Sequence, residues 1–371
     1  MFILENNKNR QDKFDVTIFS KEEPLATHSD AAVATWFAPN DNKPLLQQCC
    51  LQSLPKFAEL IKNQTPGVNI ISEVLYFKSE ADFKNSVWAK DSVRKAVELR
   101  ENTDSELKVE GFPFSVLIKI PLINPNFYRP YMLEKFKKLG GKLEIKKINA
   151  LSELTESYPI VINSSGWEAK FLTDDNLVYP IRGQTETFAL TPELKNACSL
   201  NVEELSAYVV FRPIGTGGGD CVIGTTFQVG DSDTEIRPSD TKRIINNVAT
   251  FFPAVKNVTT MPKVGIRCGR SEVRLEEKRH DQSMIVHCYG HGGSGYSACW
   301  GSANKIDNEY CVESRKYIEE KSAPNRTSGI FIAIHIGDKV SQQKAYWTKQ
   351  YSSINYYILQ GNATHNKPAT E

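Results

Sequence analysis

The sequence predicts an α/β protein in which a mainly parallel sheet is interrupted by a mainly antiparallel portion. Helices and strands alternate along residues 14–65 and 128–185, as they do in parallel sheets. Over residues 186–280, short strands flank a glycine-rich turn, which is typical of antiparallel pairing. A strand, a glycine-rich turn and a helix then follow near residue 290. The parallel-sheet domain is therefore predicted to be discontinuous in sequence.

Apolar periodicity predicts the elements of the parallel-sheet portion. They are strands over residues 14–19, 142–148 and 158–162 and helices over residues 45–61 and 128–139. Gly140 and Gly141 are expected to end the second helix, because glycine accepts the left-handed conformation that follows a helix end.

The inserted portion has its own signals. The predicted elements are strands over residues 207–211 and 222–227 and a helix over residues 239–251. The chain is then expected to return to the parallel-sheet portion with a strand over residues 283–289 and a helix from Tyr296 onward. Gly215–Gly219 is predicted to be the turn of a hairpin between the first two strands. Pro238 is typical of a helix start.

Composition and charge narrow the class of partner. The chain has 371 residues, enough for two domains, with 40% hydrophobic and 24% charged residues. A net charge of +1 gives no excess for nucleic acid or an anionic membrane, so we expect a small-molecule partner. No apolar run approaches the ~18 residues of a membrane span, and the N-terminus does not resemble a signal peptide. The eight cysteines lack metal-type spacing, so free thiols in a reducing compartment and no metal are expected.

The stretch VHCYGHGGSGYSACWG, residues 286–301, places four glycines between residues 290 and 295. In a strand, turn and helix, backbone N–H groups and the helix N-terminus converge and can bind a phosphate or the edge of a polarised ring. A tight turn without a ligand uses glycine equally well. The residues alone leave both interpretations open.

Other motifs accompany this stretch. They are THSDAAVATW (27–36), VINSSGWEAKFL (161–172), YPIRGQT (179–185), AYVVFRP (207–213) and VGIRCGRSEVRLE (264–276). In order and spacing over about residues 14–301, the set resembles the family of D-amino-acid oxidases and D-aspartate oxidases. Residues 27–36 resemble the family segment that wraps the flavin.

The resemblance implies an FAD flavoprotein that oxidises D-amino acids with O2 to 2-oxo acids, ammonia and hydrogen peroxide. Hydride transfer from the substrate Cα to the flavin requires the protein mainly to hold the two reactants together. The implied organisation is a Rossmann-like FAD-binding domain (residues 1–65, 128–185 and 284–320), an α+β substrate-binding domain (66–127 and 186–283) and an atypical C-terminal tail (321–371).

The resemblance also implies site residues. Arg267 matches the arginine that binds the substrate carboxylate, which a guanidinium can do in bidentate fashion. Tyr208 matches a tyrosine whose hydroxyl reaches the same carboxylate, and Gly293 a glycine whose carbonyl accepts from the substrate amine. The positions implied for the flavin are Thr27, His28, Ser29, Val33, Ala34, Thr35, Ile162, Gly292, Gly293, Ser294, Gly295, Tyr296 and Ser297. If the implied roles do not apply, Arg267 is an exposed arginine on a strand and Tyr208 is a core aromatic residue on an alternating strand.

Two further positions bear on the substrate class. Phe227 stands where relatives that prefer D-aspartate tend to carry an arginine, so neutral D-amino acids are expected to be preferred. Glu204 lies four residues before Tyr208, and its carboxylate either favours a basic substrate or lies on a loop. His287 and His291 are interpreted as structural, since hydride transfer needs no imidazole.

The N-terminal region departs from the family pattern. A dinucleotide-binding domain opens with a strand and a GxGxxG loop, whereas the first glycine here is Gly67 and residues 1–13 resemble the tail of the following helix. The parallel sheet is therefore expected to lack its first strand and to leave an unpaired position in its middle. Two alternatives stay open: an incomplete sequence of an active oxidase, or a flavin-free relative that binds amino acids or a protein partner.

The resemblance leaves location and assembly open. The final Ala-Thr-Glu is not the peroxisomal tripeptide that many relatives carry. An intracellular location, cytoplasmic or peroxisomal, is expected, and a homodimer is compatible with the resemblance.

Overall fold

The computed structural model of the protein describes residues 1–9, 13–23, 27–39, 43–194, 197–214, 218–280, 283–311 and 329–333. The α-helices in these ranges are α1 (Phe2–Asn6), α2 (Pro44–Lys62), α3 (Glu80–Asn85), α4 (Asp91–Ala96), α5 (Pro125–Lys138), α6 (Ser152–Thr155), α7 (Ala169–Thr173), α8 (Pro238–Ala249) and α9 (Gly295–Lys305). The strands are β1 (Asp15–Ser20), β2 (Val68–Phe77), β3 (Arg100–Glu101), β4 (Phe114–Ile123), β5 (Lys142–Ile145), β6 (Ile160–Asn163), β7 (Tyr179–Ala189), β8 (Ser199–Val202), β9 (Ala207–Ile214), β10 (Gly218–Gly224), β11 (Gln228–Val229), β12 (Met261–Gly269), β13 (Arg274–His280), β14 (Ser283–Tyr289) and β15 (Gly329–Ala333).

One sheet is mainly parallel, and its strand order is β13-β14-β6-β15-β1-β5. Every neighbouring pair from β14 to β5 is parallel, whereas β13 runs antiparallel to β14. The predicted α/β class is therefore confirmed. Strand β14 has the predicted bounds, whereas β5 ends at Ile145 instead of residue 148.

Strand β15 occupies the middle of this sheet. It lies parallel to β1, with Ile330 opposite Val16, and parallel to β6, with Ile330 opposite Ile160. The expectation of an unpaired position in the sheet was therefore wrong. The physical reason is that buried peptide groups need hydrogen-bond partners, and the backbone of residues 329–333 supplies them from the segment expected to be a tail.

The other sheet is mainly antiparallel and larger than the predicted insertion. Its order is β11-β7-β10-β9-β8-β2-β4-β3, with β12 paired to β7. Strands β9 and β10 form the expected antiparallel pair, although turn residues 215–217 lie outside the described residues. Strand β10 ends at Gly224 instead of residue 227. The domain boundaries proposed from the sequence stay a prediction.

Helices α2 and α9 pack closely at a glycine. A Cβ at Gly301 would overlap the backbone of Cys49, and the Gly301 N–H donates to Ser53 Oγ at 2.8 Å. Trp36 is fully buried beside them and donates from Nε1 to the carbonyl of Cys50 at 2.9 Å.

The described helices include none that combines the length and the hydropathy needed to cross a membrane.

Candidate active site

A cavity of about 1260 Å³ is lined by residues from both sheets. Ligand pockets for drug-sized molecules are about 300–1,000 Å³, so this cavity has room for a large ligand and a small one beside it. Its walls include the segment Thr27–Thr35, the end of β12, the start of β9 and the glycine-rich turn before α9. The structure thus brings together segments that are far apart in the sequence.

Arg267 is the cation at the centre of the predicted substrate site. It lies near the end of β12, and its Nη2 donates to Thr225 Oγ1 at 3.2 Å while Nη1 donates to the Thr226 carbonyl at 3.3 Å. No carboxylate pairs with it among the described residues. Burial lowers the pKa of the Arg267 guanidinium, and Tyr208 acts in the opposite direction. A guanidinium has five N–H donors, so an anionic ligand would find both charge and donors there.

Tyr208 lines the same cavity as Arg267 and lies near it. It stands opposite Gly224 across β9 and β10, and a Cβ at Gly224 would overlap its hydroxyl group. Burial raises the pKa of Tyr208 to about 12, while Arg267 and a hydrogen bond with Thr225 act in the opposite direction. The phenol is therefore protonated at neutral pH and available as a donor.

The glycine-rich turn meets β12 beside Arg267. The N–H of Gly292 donates to the carbonyl of Cys268 at 2.8 Å. A Cβ on Gly293 would lie 3.9 Å from Arg267 Cδ, and one on Gly292 or Gly295 would meet no heavy atom within 4 Å. The three predicted catalytic positions thus come together, and the turn presents bare backbone to the cavity.

The segment Thr27–Thr35 is held against the antiparallel sheet and α5. A Cβ on Gly265 of β12 would lie 2.9 Å from the His28 carbonyl oxygen. The Ile123 N–H donates to the Ala34 carbonyl at 2.9 Å, and Arg129 Nη2 donates to Thr27 Oγ1 at 2.8 Å. These contacts fix the backbone of this wall of the cavity.

Most predicted flavin-binding residues line the cavity, namely Thr27, His28, Ser29, Val33, Ala34, Thr35, Gly292, Gly293, Ser294, Gly295 and Tyr296. Ile162 and Ser297 are outside that lining. Ile162 lies in the core of the parallel sheet, and Ser297 Oγ accepts from the Phe37 N–H at 2.9 Å. Their roles stay predictions.

The two histidines make contacts within the protein. His287 is buried, and its Nδ1 lies 3.4 Å from Asn163 Nδ2. His291 lines the cavity, with Nε2 3.1 Å from Ser302 Oγ. Burial lowers the pKa of each imidazole to about 4, so both are neutral near pH 7.

Two acidic residues near Tyr208 differ in their surroundings. Glu204 is exposed and forms an ion pair with Lys78. Glu73, on β2, is 2% exposed and lines the cavity with Asn201. Sequence reasoning named Glu204 and missed Glu73, although one charge inside the apolar run NIISEVLYF was a detectable signal.

Two strand glycines were also missed. Gly183 on β7 lies under the Arg267 guanidinium, and Gly224 on β10 lies under the Tyr208 ring. Glycine inside a strand often marks the close approach of another group, so this signal was available in the sequence.

A family model described as FAD dependent oxidoreductase matches residues 8–307. The chain belongs to the FAD dependent oxidoreductase family. The D-amino-acid oxidase of Rubrobacter xylanophilus is 29% identical over 309 residues, which cover 80% of this chain and 88% of the relative. The D-amino-acid oxidase of Dictyostelium discoideum is 28% identical over 297 residues, which cover 78% and 82%.

Solved structures agree with this fold. Glycine oxidase from Geobacillus kaustophilus has a TM-score of 0.66 at 16% identity, covering 87% of this chain and 92% of the other. Reduced L-alpha-glycerophosphate oxidase from Mycoplasma pneumoniae with FAD bound has a TM-score of 0.63 at 13% identity, covering 89% and 95%. The protein has the fold of an FAD-dependent oxidoreductase.

FAD is the cofactor of this family, and the glycine-lined part of the cavity fits its ring. Bare backbone at Gly292 and Gly295 gives clearance at one edge, and the N-terminus of α9 offers N–H groups there. Near α1 the lining consists of Met1 and Phe2, and the described residues there include no glycine loop for phosphates. The described fit therefore concerns the flavin end of the cofactor.

Proposed function

We propose that the protein catalyses the FAD-dependent oxidative deamination of D-amino acids. A D-amino acid, O2 and water would give a 2-oxo acid, ammonia and hydrogen peroxide. The observation that carries the proposal is the Arg267 guanidinium, which lies in the cavity beside Tyr208 and the bare turn at Gly293 with no acidic partner among the described residues. Relatives named D-amino-acid oxidases support it.

In this proposal the residues of the site hold the substrate. Arg267 binds the substrate carboxylate, and the protonated hydroxyl of Tyr208 donates a further hydrogen bond. The Gly293 carbonyl accepts from the substrate amine. FAD, when bound, supplies the two-electron acceptor for the Cα–H. Fixing carboxylate and amine together orients the Cα–H, which is the main requirement for rate.

Neutral side chains are proposed to be preferred over acidic ones. The ring of Phe227 lines the cavity, is 56% exposed, and its centroid lies 5.5 Å from Arg267 Cζ. It offers no cation to a second carboxylate. Burying the side-chain carboxylate of D-aspartate there without a partner would be costly.

The same proposal covers the domain organisation, the assembly and the location of the protein. It includes the discontinuous FAD-binding domain, the substrate-binding domain and a homodimer. It also includes a cytoplasmic or peroxisomal location without nucleic-acid or membrane partners. The family match over residues 8–307 favours the oxidase over a flavin-free binding protein.

The test combines flavin content with product formation. Purified protein is incubated with FAD, freed of excess cofactor and examined for flavin absorbance. Hydrogen peroxide and 2-oxo acid are then measured with D-alanine, D-methionine and D-norleucine, with the L-enantiomers as controls. We expect both products from the D-enantiomers only. A flavin-loaded protein that forms neither product from a broad panel of D-amino acids would refute the proposal.

A further inference from the structure

We propose that Glu73 and Asn201 form a subsite for a cationic substrate side chain, so that the protein oxidises D-amino acids ending in an ammonium or guanidinium group. The inference rests on the proposed function and names a substrate class within it.

Glu73 has the contacts of an incomplete binding site. Its side chain is buried and lines the cavity. Asn201 Nδ2 donates to Glu73 Oε1 at 2.9 Å, whereas Oε2 is buried and has no hydrogen-bond partner among the described residues. A buried carboxylate oxygen without a donor is costly, and a ligand N–H group would remove that cost.

The register of the sheet places this carboxyl beside the predicted substrate site. Asn201 on β8 stands opposite Leu75 of β2 on one side and Tyr208 of β9 on the other. Glu73 lies two residues from Leu75 and thus on the same face of the sheet. Two strand spacings, roughly 10 Å in all, separate β2 from β9. Both side chains line the cavity, and the Glu73 carboxyl is near enough to act on the pKa of Tyr208, so a long substrate side chain whose carboxylate is held at Tyr208 can reach towards Glu73.

The charges around Glu73 favour the binding of a cationic group at its carboxylate. No lysine, arginine or histidine forms an ion pair with it among the described residues. Glu203 is exposed, lines the same cavity and adds negative charge. A substrate cation would be the counter-ion that the described residues do not supply, and a neutral side chain would leave the carboxylate unpaired.

A proton and the substrate cation compete for the Glu73 carboxylate, so binding of a cationic side chain should depend on pH. Burial raises the pKa of Glu73 to about 7, Asn201 acts in the opposite direction, and Glu203 raises it further. Cys198 and Tyr208 are the other titratable groups that interact with this carboxyl. A cation binds the ionised carboxylate, so preference for a cationic substrate should increase as pH rises through about 7.

The experiment measures kcat/KM for D-lysine and for D-norleucine, which lacks only the terminal ammonium group. In the wild type we expect the D-lysine to D-norleucine ratio to rise between pH 6 and pH 8. Glu73→Gln should lower this ratio at pH 8 by at least about tenfold, the lower end of the range for one close charge pair, and should flatten its pH profile. Glu204→Gln, which alters an exposed carboxylate outside the cavity, is the matched control and should keep the wild-type ratio.

An unchanged ratio in Glu73→Gln, or a flat wild-type profile, would overturn the subsite. Oxidation of D-norleucine but not of D-lysine by the wild type would also overturn it and leave the proposed function standing. Failure of the flavin-loaded wild type with every D-amino acid would overturn both. The wild-type pH profile decides the matter even where Glu73→Gln does not fold.

Discussion

The guanidinium group of Arg267 lies on the bare backbone of Gly183. The two residues belong to the paired strands β12 and β7, and a Cβ on Gly183 would overlap Cζ and both Nη atoms of Arg267. The absence of a side chain on one strand therefore determines where the cation of the next strand lies.

Gly183→Ala should displace the guanidinium while keeping its charge. We expect kcat/KM for D-methionine to fall by at least about tenfold, because a small misplacement of the substrate has a large effect on rate. Gly218→Ala is the control, since this strand glycine has no heavy atom within 4 Å of the added Cβ. Equal activity of the two variants would contradict this role of Gly183.

Arg267→Ala should remove the proposed carboxylate contact. The expected loss in kcat/KM corresponds to about 2–5 kcal/mol, as for truncated pairs in desolvated sites. Arg267→Lys keeps the charge but not the planar fork and should recover only part of the loss. Flavin content should equal that of the wild type in both. Near-normal kcat/KM in Arg267→Ala at equal flavin occupancy would show that this arginine is structural.

Gly292→Ala should weaken FAD binding. Gly292 has φ of +56° and Gly111 has φ of +81°, so alanine strains the backbone at either position by about 1–2 kcal/mol. The added methyl group would lie at the cavity wall only at Gly292, because Gly111 is exposed on the surface. FAD titration should therefore show weaker binding for Gly292→Ala and wild-type binding for Gly111→Ala. The same affinity in both variants would argue against contact between the flavin and this turn.

Phe227 should determine the response to an acidic substrate. The wild type is expected to have a lower kcat/KM for D-aspartate than for D-alanine, since Phe227 offers no cation to the side-chain carboxylate. Phe227→Arg should raise the value for D-aspartate, whereas Phe227→Leu should not. A wild-type preference for D-aspartate over D-alanine and D-methionine would refute this prediction.

Glu73 should make the protein less stable as pH rises. Its pKa in the folded protein is about 7, against 4.5 for the free group. The folded state therefore binds more protons between these values, and the free energy of unfolding decreases with pH across that window. The full difference is about 3 kcal/mol.

Urea unfolding of the wild type and Glu73→Gln at pH 5 and pH 8 measures the effect. We expect the variant to gain stability relative to the wild type at the higher pH. His287 and His291 have lowered pKa values and act in the opposite direction below about pH 6.5. Both histidines are present in both proteins. The difference in the free energy of unfolding between the wild type and Glu73→Gln therefore reports the contribution of Glu73 alone. A difference independent of pH would show that this carboxyl is not perturbed.

Apolar periodicity and end signals in the sequence correctly predicted helices whose formation depends on neighbouring residues. The predicted helix over residues 45–61 is α2 (Pro44–Lys62), and Gly140 has the left-handed backbone expected after α5. The motifs likewise predicted that Arg267, Tyr208 and the glycine-rich turn would share one cavity. Residues 330–336 are apolar and alternate as a strand does, but the position of β15 in the sheet depends on which distant strands lack a partner, and its own residues do not encode that.

Glu73 illustrates the same limit within the site. Its charge is visible in the sequence, but its surroundings are set by Asn201, which comes from another strand far along the chain. Glu204 is close to Tyr208 in sequence, yet its ion pair with Lys78 keeps it at the surface. Proximity in sequence therefore pointed to a carboxylate that lies at the surface and is not part of the cavity lining.

The central position of β15 also imposes an order on biosynthesis. Strands β1 and β6 leave the ribosome early, but the strand between them is made of residues 329–333. At about 5–20 residues per second, the delay between β6 and β15 is on the order of ten seconds or more. During that interval the facing edges of β1 and β6 are unpaired, and exposed strand edges attract other chains. The nascent protein should therefore depend on chaperones until its last described strand has been translated.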